Sequence, residues 1–158
     1  MPLDTAAFRA SLSRFASGVT VLTARSADGR DVGMTATAFS SLSLDPPLVL
    51  VCVDRGASIA PALEGATHLA VHVLGADQES ISRQFALKEG DRFARLAITR
   101  GGGDVPLVPG ALVRLECRIA ERHPAGDHLI VIAEVLAAEV ADGDPLIYFR
   151  GRYTKLTP

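Results

Sequence analysis

The run Leu48-Val49-Leu50-Val51-Cys52-Val53 limits what this chain can become. It has no polar member, and Pro46-Pro47 directly precede it. A short apolar run behind a proline turn reads as a strand buried on both faces. Such a strand belongs in the interior of a sheet whose two sides are covered. The wider stretch Val32 to Val53 places a hydroxyl-rich segment before that strand. Thr35, Thr37, Ser40, Ser41 and Ser43 alternate with Ala36, Ala38, Phe39 and Leu42. Small residues let a ligand approach the backbone, and hydroxyls with free N–H groups can satisfy an anion. The segment therefore reads as one wall of a site for an amphipathic cofactor. Turns favour Ser and Thr in any case, so a serine-rich hairpin loop fits the same pattern.

A length of 158 residues is expected to give a single domain, residues 1–158, with enough core to fold without disulfides. Hydrophobic residues make up 48% of the chain and the net charge is −2. That balance argues against disorder and against nucleic-acid binding driven by phosphate charge. The first ten residues, MPLDTAAFRA, lack the apolar core of a secretion signal, and the longest apolar run is too short to span a membrane. Cys52 and Cys117 both fall in strand-like apolar patterns and read as buried, reduced thiols, which favours a cytoplasmic location.

Along the chain, Asp4 or Thr5 caps a first helix with Phe8, Leu12, Phe15 and Ala16 on one stripe. Val19 to Ala24 is β-branched and strand-like. The Asp28-Gly29 pair marks a hairpin turn before the next strand. Ser58 reads as the N-cap of a short helix from Ile59 to Leu63, closed by Gly65. His68 to Leu74 forms another strand. A helix starting after Gly75-Ala76-Asp77 runs through Ala86. Residues Thr99 to Gly110, with three successive glycines, read as a mobile surface loop or lid. Ala111 to Ile119 and His128 to Val135 alternate as strands around a Pro124–Asp127 turn, with Arg114, Glu116 and Arg118 facing water. Leu146 to Phe149 and Tyr153 end the chain as short strands. About seven strands, two or three short helices and no regular β-α-β order indicate an antiparallel barrel with helical inserts.

The chain lacks His-Glu-x-x-His, Gly-x-Ser-x-Gly, phosphate-loop and paired-cysteine signatures. His68 and His72 share a strand face but have no third ligand in sequence, so no metal site is expected. His128 follows Gly126-Asp127 at a strand start, where a side chain can reach a barrel mouth. It can contact a substrate or donate to developing negative charge. A solvated strand-end histidine held by Asp127 is the simpler alternative.

Five motifs, in order, carry a resemblance. They are Phe15-Ala16-Ser17-Gly18-Val19-Thr20-Val21-Leu22-Thr23, Gly33-Met34-Thr35-Ala36, Phe39-Ser40-Ser41-Leu42-Ser43-Leu44-Asp45-Pro46-Pro47-Leu48-Val49, Gly126-Asp127-His128 and Leu146-Ile147-Tyr148-Phe149-Arg150-Gly151-Arg152-Tyr153. Together they resemble the flavin reductase-like family, small FMN-binding split-barrel proteins that act as reductase components of two-component flavin monooxygenases. The resemblance implies a mainly β fold, a six-stranded antiparallel split barrel with two or three short helices, assembled as a homodimer.

It further implies that Thr35, Ala36, Thr37, Ser40, Ser41 and Leu42 line the flavin, and that the strand containing Cys52 passes beside the ring. Ser58 resembles a phosphate-holding position at a helix start. Arg83 and Phe85 resemble positions that close over the flavin tail, and Tyr153, with Tyr148, lies near the ring. His128 is similar to the histidine on the nicotinamide side. Thr37 stands where many relatives carry Asn, and His72 stands where Asn is frequent. The implied activity is hydride transfer from nicotinamide C4 of NADH or NADPH to flavin N5, which needs an approach of about 3–3.5 Å. FMN is the expected flavin, with FAD possible, and a flavin-dependent monooxygenase component is the expected partner. An FMN-binding carrier or sensor without turnover is the alternative.

Overall fold

A computed structural model describes residues 1–157. Its elements in chain order are α1 (Thr5–Leu12), β1 (Ser17–Gly18), β2 (Thr20–Arg25), β3 (Asp31–Ala36), β4 (Phe39–Ser43), β5 (Leu48–Asp54), α2 (Ala60–Gly65), β6 (His68–Val73), α3 (Glu79–Phe85), β7 (Thr99–Arg100), β8 (Pro106–Leu107), β9 (Val113–Ala125), β10 (His128–Val140), β11 (Ile147–Phe149) and β12 (Arg152–Thr154).

Seven of these strands form one antiparallel sheet in the order β3-β2-β6-β9-β10-β5-β4. The two edge strands are consecutive segments of one chain run, joined only by Thr37 and Ala38. Six strands were expected. The seventh arises because the run 31–43 pairs first with β2 and then with β5, breaking where it changes partner. That break closes the sheet on itself and is the split in the barrel. The interior is filled by Leu22, Val51, Val53, Leu69, Val71, Cys117 and Val131, with Ile59 and Leu63 of α2 in the same cluster. A second cluster gathers Val19, Val21, Leu74, Phe85, Val108 and Leu146, with Phe93 packed against it.

Turn chemistry matches the sequence where φ must be positive. Gly29 at φ 83° turns β2 into β3, and Gly126 at φ 58° turns β9 into β10. Asp4 caps α1 by accepting from the Ala7 N–H at 3.3 Å, yet α1 buries none of its residues.

Four local expectations need correction. The strand β5 is fully buried on one face only: Val49, Val51 and Val53 are buried, while Leu48, Leu50 and Cys52 are half-buried. Ser58 does not cap α2, whose N-terminal flank is Ile59 with no side-chain cap. Segment 99–110 is neither plain surface loop nor lid. It forms the β7–β8 hairpin, and Val105, Leu107 and Val108 pack into the protein. Its clamps are the Thr23 hydroxyl donating to Pro106 O at 2.6 Å and the Val108 N–H donating to His72 Nε2 at 3.0 Å. Arg114 and Glu116 are half-buried rather than water-facing, because β9 lies between β6 and β10.

Candidate functional site

At the break between β3 and β4 the backbone belongs to neither ladder. Among the described residues, the N–H groups of Thr37 and Ala38 make no backbone hydrogen bond, although Ala38 O accepts from Cys52 N at 2.9 Å. Both residues are exposed. Unpaired, exposed donors beside the half-buried face of β5 combine polar and apolar contact in one place. Ala36 is buried just before the break, with 7% exposure. Ser40, Ser41 and Leu42 follow it, exposed along β4, and the Ser40 hydroxyl donates to Ser41 O at 2.8 Å.

A cavity of about 560 Å³ opens beside this seam, lined by Met34, Thr35, Asp54, Ser58, Phe85 and Arg92 among others. The β5–β10 register sets His128 opposite Asp54, so the histidine starts its strand at the rim of this cavity. His128 is half-buried, with Nδ1 2.7 Å from the Asp127 carboxylate. That hydrogen bond holds the Asp127 carboxyl below its ordinary range. Asp127 thereby orients the ring, and Nε2 makes no hydrogen bond among the described residues. An oriented ring with one free nitrogen can bind a polar ligand group.

Arg92 is the residue that sequence reasoning missed. Its Nη1 donates to Gly33 O at 2.7 Å and to the Ser58 hydroxyl at 3.1 Å, and its Nε donates to Leu87 O at 2.8 Å. All these acceptors are neutral, and the guanidinium has no carboxylate partner among the described residues. An un-neutralised arginine at a cavity wall suits a phosphate. The only hint in sequence was an arginine in a glycine-containing loop, which many surface loops share.

Thr35 and Tyr153 meet through α3. The Thr35 hydroxyl donates to Ser82 O at 2.6 Å, and Ser82 Oγ lies 2.7 Å from the Tyr153 hydroxyl. Thr35 thus ties β3 to α3 as well as lining the cavity. Phe85 is fully buried and stacks edge-on with Phe93, ring centroids 5.0 Å apart. Arg83 is not at the Ser58 cavity. It pairs with Glu79 at 2.6 Å, lies 4.9 Å over the Tyr153 ring and lines a separate depression with Tyr148 and Arg152. His72 is sealed inside the barrel wall, away from the seam. Its Nδ1 lies 3.0 Å from Val21 O, and burial drives its pKa down to about 4. Burial likewise pushes the Cys117 thiol up to about 12, an inert core group.

Among the described residues no helix is long and apolar enough to cross a membrane. Residues 12–157 match the flavin reductase like domain. The chain is 44% identical over 154 residues to the FMN reductase (NADH) SmoA of Agrobacterium fabrum, covering 98% of this chain and 87% of that protein. It is 45% identical over 153 residues to the 4-hydroxyphenylacetate 3-monooxygenase reductase component of Thermus thermophilus, covering 95% of each. Among solved structures, the NADH:FAD oxidoreductase SgcE6 of Streptomyces globisporus, in complex with NAD and FAD fragments, superposes with a TM-score of 0.92 at 36% identity. That match covers 98% of this chain and 94% of the other. The barrel seam, the five motifs in order and these matches establish that the chain belongs to the flavin reductase-like family.

Proposed function

We propose that this protein is an NAD(P)H-dependent flavin reductase whose flavin lies along the seam between β3 and β4. The single observation that carries the assignment is the pairing of two unsatisfied N–H groups at Thr37 and Ala38 with an un-neutralised Arg92 beside Ser58. Flavin mononucleotide needs that division: donors for a polar ring edge at one end and a cation for phosphate at the other. A flavin held there would supply the hydride-accepting chemistry of the reaction.

The chain's own residues hold and orient. Ala36, Ser40, Ser41 and Leu42 form the wall along which the ring lies, and the half-buried Cys52 face of β5 gives it an apolar backing. The Thr37 and Ala38 N–H groups favour negative charge on the ring, because fixed donors cost little reorganisation. Arg92 and Ser58 hold the phosphate. Thr35, Phe85 and Tyr153 keep α3 against β3, and Arg83, stacked on Tyr153, ties α3 to β12. His128, oriented by Asp127, positions the nicotinamide and moves no proton in the hydride step.

Leu44, Leu136 and Val140 are large apolar side chains left exposed, at 93%, 53% and 78%. The Val135 N–H donates to Pro47 O at 2.9 Å, which sets the Pro46-Pro47 turn beside this part of β10. Apolar surface of that kind supports a homodimer joined there. The reduced flavin then serves a flavin-dependent monooxygenase, the role carried in the name of the Thermus thermophilus relative. Two free cysteines accord with a cytoplasmic location.

The test is a steady-state assay of NADH and NADPH oxidation with FMN and FAD supplied in turn. Turnover that saturates with flavin supports the proposal. A protein that binds FMN but oxidises neither nicotinamide is a carrier or sensor, and the reductase assignment falls.

A further inference from the structure

We propose that the depression between α3 and the β11–β12 hairpin is a binding site for an aromatic carboxylate, apart from the flavin seam. It has a volume of about 350 Å³, at the small end of the range for ligand pockets, about 300–1,000 Å³. Its lining is Glu79, Arg83, Tyr148, Gly151, Arg152 and Tyr153. None of these residues lines the cavity beside Thr35 and Arg92, so a ligand here need not displace the flavin. Strand pairing builds an aromatic floor. Tyr148 and Tyr153 stand opposite each other in the β11–β12 ladder, which puts both rings on one face. The rings meet edge-on, with centroids 5.4 Å apart and planes at 62°. The Arg83 guanidinium, 4.9 Å from the Tyr153 centroid, covers that ring. Tyr148 is 36% exposed, which leaves ring surface open to a further aromatic group.

The charges select an anion. Glu79 is the one acid on the lining, and Arg83 already occupies it, with Nε and Nη2 donating to Oε1 at 2.9 and 2.6 Å. Arg152 is exposed, and its guanidinium has neither a hydrogen bond nor a carboxylate partner among the described residues. The depression therefore carries one unmatched positive charge beside its tyrosines. A free guanidinium is a planar fork that takes a carboxylate through two parallel N–H donors. A flat ring on Tyr148 with its acid on Arg152 uses both features at once, and a neutral or cationic ligand uses only one.

Tyr148 and Tyr153 are the only tyrosines in the chain and there is no tryptophan, so intrinsic emission reports on this site alone. The test is a titration with phenylacetate, followed by tyrosine emission and by calorimetry, with far-UV circular dichroism to confirm folding of each variant. The expected result is saturable binding that changes the emission. Arg152→Gln and Tyr148→Leu should each weaken it at least about fivefold, and Tyr153 remains as reporter in the second variant. Phenylacetamide, which lacks the charge, and cyclohexylacetate, which lacks the aromatic ring, should bind at least about fivefold more weakly than phenylacetate. Saturating NAD⁺ should leave the phenylacetate affinity unchanged. Absence of saturable binding refutes the site, as does equal binding by folded Arg152→Gln. Displacement by NAD⁺ also refutes it, because the depression would then belong to the coenzyme. The flavin assignment does not depend on any of these outcomes, since the nicotinamide oxidation assay decides it separately.

Discussion

Acid should loosen this protein through His72. The imidazole is fully buried, Nδ1–H donates to Val21 O, and Nε2 accepts the Val108 N–H. That pattern fixes the neutral tautomer. Protonating Nε2 would set two donors face to face and break the clamp on the β7–β8 hairpin. The charged groups nearest the ring are on β9: Arg114, its ladder partner, opposes a second positive charge, and Glu116 favours one. Burial is the largest cause of the shift, which takes the pKa from 6.5 to about 4. A depressed histidine leaves the unfolded chain binding the extra proton first. Stability is therefore unaffected above about pH 7, falls as pH drops through 6.5, and levels off near pH 4. The slope in that window is about 1.4 kcal/mol per pH unit, so lowering pH from 7 to 5 costs about 2 kcal/mol from this group. The assay is urea unfolding at pH 7, 6 and 5 for the parent and His72→Asn. The variant should lose less between pH 7 and 5, by about 2 kcal/mol. Equal losses in both proteins would refute the linkage, whatever the variant's stability at pH 7.

Other perturbations have equally direct expectations. Gly33→Ala puts a Cβ 2.7 Å from the Phe85 ring and 3.1 Å from Leu22 O, so thermal unfolding should show about 1–3 kcal/mol of destabilisation. Tyr153→Phe leaves the buried Ser82 hydroxyl without its partner, and denaturant titration should register a loss of about 1–3 kcal/mol. Arg92→Ala should raise the flavin Kd at least about tenfold with native circular dichroism; an unchanged Kd would remove Arg92 from the phosphate site. His128→Ala should raise KM for the nicotinamide more than it weakens flavin binding, and equal flavin loss with an unchanged KM would end its positioning role.

Much of the barrel was legible because strand signals are local. Alternation in β9 and β10, the apolar run of β5 and the glycine turns at 29 and 126 each depend on a few neighbouring residues. The seam was legible as composition, a stretch of small and hydroxyl residues between two strands. Its free N–H groups were not, because they exist only where the chain leaves β2 and joins β5. Thr35 shows the same gap: its hydroxyl was read as facing a ligand, but it is bonded to Ser82 O. For segment 99–110, glycine content pointed to mobility, and the decisive contact came from His72, which the sequence offered as a weak metal ligand and as a departure from the family's frequent Asn.

The sequence alone determined most of the strands and turns, and the order of five motifs carried the resemblance to the family. The strand and turn signals follow from steric preference and periodicity within short windows, whereas the β7–β8 strands at 99–107 did not show in them. Tertiary structure decided which groups share the site. Arg92 reaches Gly33 and Ser58 across 59 and 34 residues of chain, and Arg83, seven residues past Ala76, ends at a different depression. Such meetings are set by how the β3–β4 run switches partners to close the barrel. That closure is a global balance of burial and hydrogen bonding, and no local pattern encodes it.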